Sequence, residues 1–167
     1  MTIKTYALLF FLFLVNVTGT CQYTQETDTT SHLKSGFYIL NDSVGVKVFV
    51  PDFNKLQYVN TKTLIPITAI KKCSTVGIDA TFRNTGEKQF GLNLTFTPKG
   101  DIKMQIATDI AFEERKSIGL FIDNKIINAF YVNSKIRNGN YFLALNLPFA
   151  EIKKLEKKIN SELKKKK

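Results

Sequence analysis

The chain predicts an α+β fold: a largely antiparallel sheet with two helices packed on one face, preceded by short N-terminal strands. Three features carry that expectation. Residues 90–96 alternate Phe90, Leu92, Leu94 and Phe96 against Gly91, Asn93 and Thr95, the period-two signature of a half-buried strand. Residues 118–132 place two β-prone apolar runs around Asp123-Asn124-Lys125. Asp and Asn tolerate the positive φ of a tight hairpin turn. Two later stretches repeat apolar residues at helical spacing: Ile102, Ile106 and Ile110, then Phe149, Ile152, Leu155 and Ile159. The order strand–helix–strand–strand–strand–helix favours helices layered on one sheet.

Taken from the N-terminus, residues 1–21 read as a signal peptide. Lys4 precedes an unbroken apolar run over residues 6–15, then Asn16, Thr18, Gly19 and Thr20. That run is too short to cross a bilayer but fits a secretory signal core, so the mature protein is expected outside the membrane. Cys21 stands where bacterial lipoproteins carry their lipidated cysteine and is the candidate lipid attachment site, although Thr18-Gly19-Thr20 lacks the usual leucine. Cleavage after Gly19 or after Cys21 itself is the competing reading. Residues 22–34 are polar, Thr-rich and aperiodic, the composition of a flexible tether, and hold the single histidine, His32.

A domain over residues 35–163 follows. Strands are expected at 36–40, at 44–50 with Val44, Val46, Val48 and Val50 on one face, and at 56–59; Pro51-Asp52 stops the second. Another run at 64–70 extends through the alternation Val76, Ile78, Ala80 and Phe82, and Asn84-Thr85-Gly86 turns the chain into the strand at 90–96. Thr97 and Pro98 open the first helix as cap and first-turn proline. Its stripe is Ile102, Ile106 and Ile110, widened by Ala107 and Ala111, while Gly100 weakens the first turn. The hairpin strands fall at 118–122 and 126–132. Asn138-Gly139-Asn140 turns into a strand at 141–145, and Asn146 and Pro148 lead into the last helix. Lys164 to Lys167 form a basic tail.

The net charge is +10, and residues 148–167 supply half of it with eight Lys and three Glu. Cys73 is the only cysteine besides Cys21. In an oxidising compartment the two can pair if Cys21 survives cleavage unlipidated; otherwise Cys73 is a lone thiol, either a half-buried strand residue or one activated by Lys71-Lys72. One histidine and no Cys-x-x-Cys spacing leave no basis for a metal site or cofactor. Glu113-Glu114 has no partner base or nucleophile, so no catalytic residues are assigned and a non-enzyme is expected.

Gly119-x-Leu-x-Ile-Asp-x-Lys-Ile-Ile-x-Ala129 resembles the hairpin in the periplasmic head domain of SecD and SecDF, the membrane-embedded accessory subunits of the Sec export machinery. Residues 92–100, Leu-Asn-Leu-Thr-Phe-Thr-Pro-Lys-Gly, resemble that family's strand and helix start. Ile136, Gly139 and Leu145 before Phe149-Ala150-Glu151 resemble its final strand and helix. The chain departs from the family with Phe130 in place of a common proline and Asp123-Asn124 in place of Asp-Gly. The charged membrane-embedded residues that couple proton flow to the head in that family have no counterpart here. The resemblance therefore implies a detached head that contacts polypeptide or an envelope protein, accessory to translocation. Phe130, Tyr131 and Tyr141 are the candidate contact aromatics, through β-edge pairing or an apolar groove between sheet and helices. The alternative is an envelope protein held to an anionic membrane or polyanion by Lys153, Lys154, Lys157, Lys158, Lys164, Lys165, Lys166 and Lys167. Nucleic acid is not expected, because the tail lacks base-stacking aromatics.

Overall fold

A computed structural model describes residues 32–61, 65–79, 88–137 and 139–165. The fold is α+β, with two antiparallel sheets rather than one. The elements are β1 (Gly36–Asn41), β2 (Val46–Val50), β3 (Lys55–Val59), β4 (Ile65–Pro66), β5 (Ile70–Asp79), β6 (Lys88–Phe96), α1 (Pro98–Glu113), β7 (Ser117–Ile122), β8 (Lys125–Tyr131), β9 (Asn140–Ala144) and α2 (Phe149–Lys164). The larger sheet runs β2-β3-β1-β7-β8, with β4 added to β1; the smaller runs β5-β6-β9.

The hairpin forms as its turn chemistry requires. Ile122 pairs with Lys125, leaving Asp123 and Asn124 at φ 46° and 62° as a two-residue turn. β6 buries Leu92, Leu94 and Phe96. The main core joins these to Phe37, Met104, Ala107, Ala111, Ile118, Leu120, Ile122, Leu143, Ile152 and Ile159, so both helices and both sheets share it. A smaller core lies on the other face of the larger sheet, where Leu33, Val50 and Val59 pack on Tyr38, Leu40, Phe121 and Ala129. β7 is buried along its whole length because it faces a core on each side.

Several expectations change. Leu33 is 4% exposed and sits in the smaller core, so this residue of the stretch read as tether packs with the domain. Val44 lies outside β2, where Asn41 accepts the Ser43 and Val44 N–H groups and closes a side-chain turn. In β5, Val76 and Ile78 face outward, since α2 covers the opposite side of the sheet through Cys73 and Thr75; Ala80, Phe82 and the turn at Asn84-Thr85-Gly86 lie outside the described residues.

The largest correction concerns α1. Thr97 caps it by accepting the Gly100 N–H at 3.1 Å, and Pro98 occupies the first turn, as the sequence predicts. Its buried face, however, is Gly100, Met104, Ala107, Thr108 and Ala111, while Ile102 and Ile106 are 58% and 54% exposed. A Cβ on Gly100 would stand 2.5 Å from the Ala69 carbonyl oxygen. The small residues let the helix backbone approach the strands closely, which rotates the isoleucines outward.

Candidate functional site

A groove of about 430 Å³ lies between β8 and α2, lined by Ile126, Ile127, Leu147, Glu151, Lys154, Leu155 and Lys158. Its floor depends on an irregularity. Successive strand residues normally point to opposite faces. Here Leu120 pairs with Asn128 and Phe121 with Ile126, which leaves Ile127 as an extra, bulged residue. Ile126 packs toward the smaller core and Ile127 toward the main core, and both border the groove at this edge of the sheet. Glu151, Lys154, Leu155 and Lys158 share one face of α2 by their three- and four-residue spacing. The floor is thus aliphatic and the helical wall charged. Lys158 pairs with Asp123 at 2.5 Å, tying α2 to the hairpin turn.

The strand edges beside this groove are occupied. The Asp52 carboxylate accepts the Ala129 N–H of β8 at 2.8 Å, and Phe53 stacks on Tyr131 with ring centroids 4.4 Å apart. The short turn over Pro51–Phe53 thereby covers the end of this edge strand. On β5, Glu156 accepts both the Thr75 N–H (3.1 Å) and hydroxyl (2.6 Å), and Asn160 donates to the Cys73 carbonyl (2.9 Å). Such side-chain plugs remove the backbone groups that an added strand would use.

The three candidate aromatics do not converge. Phe130 is half-buried against the main core, and Tyr131 is exposed but stacked on Phe53. Tyr141 is 8% exposed, packs edge-on to Phe96 and donates its hydroxyl to Asp101 at 2.9 Å. Burial and that bond to Asp101 raise its pKa well above the usual phenol range. It is a core residue.

Among the lysines, Lys153 is held by Glu156 at 2.8 Å, with its ammonium 5.9 Å from the Phe149 ring. Lys154 lines the groove, and Lys157, Lys164 and Lys165 are exposed. Lys166, Lys167 and Cys21 lie outside the described residues. Cys73 is 2% exposed under α2, and burial, with the Glu156 charge second, pushes its thiol up to about 12. Both causes work against a thiolate at this position.

Reading the sequence as contact aromatics missed Ile126, Ile127 and Leu147. The signal was the doublet Ile126-Ile127 inside an otherwise alternating strand, which marks a bulge. Several acidic groups are engaged structurally. Glu113 pairs with Lys135 and Glu114 with Lys116, while Asp101 accepts from Tyr141 and Gln105 on its two oxygens. Among the described residues no group of three His, Cys, Asp or Glu side chains is placed to hold a metal, and no helix is long and apolar enough to cross a membrane. No protein-family model, curated protein or solved structure matches this chain.

Proposed function

We propose that the chain is an exported, non-enzymatic module that binds polypeptide, with the groove between β8 and α2 as its contact surface. The observation that carries this reading is the groove itself, where half-buried Ile126 and Ile127 lie with Leu155 in an aliphatic trough with Lys154 on its rim. The trough suits an apolar segment flanked by acidic residues. Lys154 has no carboxylate partner among the described residues, so its charge is free to meet one. The plugged edges at Ala129 and Thr75 favour the groove over strand addition at those positions. The resemblance to the SecD head supplies the context, a partner met outside the membrane and a role accessory to translocation.

The test is fluorescence anisotropy with a reduced, permanently unfolded polypeptide as the labelled probe. Ile127→Ser and Lys154→Glu are compared with Val76→Ser on the outward face of β5. Each groove substitution is expected to weaken binding about tenfold, equivalent to about 1.4 kcal/mol, with Val76→Ser unchanged. Lys154 is exposed, so that variant keeps its fold and isolates the groove from stability. Unaltered affinity in Lys154→Glu and in folded Ile127→Ser overturns the assignment.

A further inference from the structure

The first and last described segments of the domain meet at the β7–β8 turn. Leu33 donates its N–H to the Asn124 side-chain oxygen at 3.1 Å, and Asp123 donates its N–H to the Ser35 hydroxyl at 3.2 Å. The last turns of α2 reach the same point. Ser35 donates to Glu162 at 3.3 Å, and Lys158 pairs with Asp123. The chain that precedes Leu33 therefore enters the domain beside the place where α2 ends and the run Lys164 to Lys167 begins.

The charges at this end are lopsided. Lys34, Lys125, Lys157, Lys158, Lys164 and Lys165 are exposed there. The carboxylates facing them are Asp123, already held by Lys158, and Glu162, which accepts from Ser35. The opposite end has another character: there Phe149 leans on Phe90 and Asp52 closes the β8 edge.

From this convergence we infer that the lysine-bearing end is a docking surface for an anionic phospholipid bilayer. Two features on one end argue for a membrane rather than a soluble polyanion. The lysines supply charge complementarity, and Cys21, the candidate lipid attachment site, lies upstream of Leu33, so a lipid there pulls this end toward the headgroups. From Cys21 to Leu33 the backbone can span at most roughly 40 Å. Lysines act on an anionic surface only within about one Debye length, near 8 Å at physiological salt, so those beside the entry of the chain at Leu33 are the ones placed to act. The inference does not rest on the groove, and its test leaves Lys154 untouched.

The experiment is vesicle co-sedimentation of the full chain. Its readout is the ratio of partitioning onto phosphatidylcholine vesicles containing roughly one-third phosphatidylglycerol to partitioning onto phosphatidylcholine alone. That ratio cancels whatever the apolar run contributes to both. The triple variant Lys157→Gln, Lys164→Gln, Lys165→Gln is compared with Lys47→Gln, Lys55→Gln, Lys88→Gln, which removes the same charge from other elements. A preference for anionic vesicles is expected, lost at about 0.5 M salt, cut at least tenfold by the first triple at roughly fivefold per lysine, and kept by the second. Equal ratios for the two triples, or no anionic preference in the parent chain, overturn the inference. So does tight binding to polyphosphate or an oligonucleotide through these same lysines without vesicle binding, which reassigns the surface to a soluble polyanion.

Discussion

The two helices have the same length and opposite logic. α2 buries Ile152 and Ile159, leans Leu155 and Leu163 on the main core and coats its remaining faces with lysine and glutamate. α1 buries a glycine, two alanines, a threonine and a methionine, and leaves Ile102 and Ile106 in solvent. α2 is held by apolar area. α1 is held by proximity, its backbone brought close to the residues after β4 by side chains too small to keep it away. A hydrophobic stripe locates the buried face of a helix only where the helix packs at ordinary distance. Close approach hands that face to small residues instead.

The sharpest way to break the comparison is to remove one isoleucine from each helix. Ile152 is fully buried in the main core, so Ile152→Ala should cost about 3 kcal/mol, the sum of lost transfer energy and an incompletely collapsed cavity. Ile102→Ala removes the same atoms from a solvent-facing site and should change stability by no more than about 0.5 kcal/mol. Urea denaturation of both variants measures the difference. Comparable losses in the two would mean that α1 buries its isoleucine stripe after all.

These contrasts show how much of the molecule its sequence discloses. Period-two alternation places β6 correctly because Phe90, Leu92, Leu94 and Phe96 pack toward one core from a strand flanked on both sides. The hairpin turn is legible because Asp123 and Asn124 are among the few side chains that accept positive φ cheaply. The cap at Thr97 is legible for an equally local reason. What escapes the sequence is non-local. The break into two sheets depends on Ile67–Ala69 forming a short 3-10 turn between β4 and β5. Leu33 looks like part of a polar tether until the smaller core receives it. The groove was half-visible: Leu155 is evident from helical spacing, whereas the place of Ile127 in the strand follows from a register slip against Leu120 and Phe121.

A smaller effect tests the close approach directly. Gly→Ala in an exposed helix interior stabilises by about 1 kcal/mol through helix propensity. At Gly100 the new methyl would meet the Ala69 carbonyl oxygen at 2.5 Å and the Ala69 Cβ at 2.9 Å. The first of these is backbone and cannot rotate aside. Overpacking of this kind costs about 1–3 kcal/mol, which outweighs the propensity gain, so Gly100→Ala is expected to destabilise on balance by about 1 kcal/mol. A rise in the denaturation midpoint would mean that α1 has room to spare and that the exposed isoleucines need another cause.

The last test concerns how each helix is tied to its neighbours by charge. α1 reaches the segment after β8 through Asp109–Arg137 and Glu113–Lys135, both exposed to solvent, and exposed pairs of this kind contribute little. α2 instead sends Glu156 into the backbone of an edge strand, where it accepts from Thr75 twice and from Lys153. The Lys153 bond first, then the Thr75 hydroxyl, hold its carboxyl below the ordinary value of 4.5. A depressed folded-state pKa means that the unfolded chain binds the proton more readily. The contribution is therefore fully present above the ordinary value and lost as pH falls through the lower folded one. Glu156→Gln keeps the size of the side chain but weakens the charge-assisted bonds, at a cost of about 1–2 kcal/mol at neutral pH. Followed by thermal unfolding, the gap between variant and parent should close as the solution is acidified below the ordinary carboxylate range. A gap that stays constant into acid would show that Glu156 holds β5 by shape alone, and that α2, like α1, owes nothing to its charge.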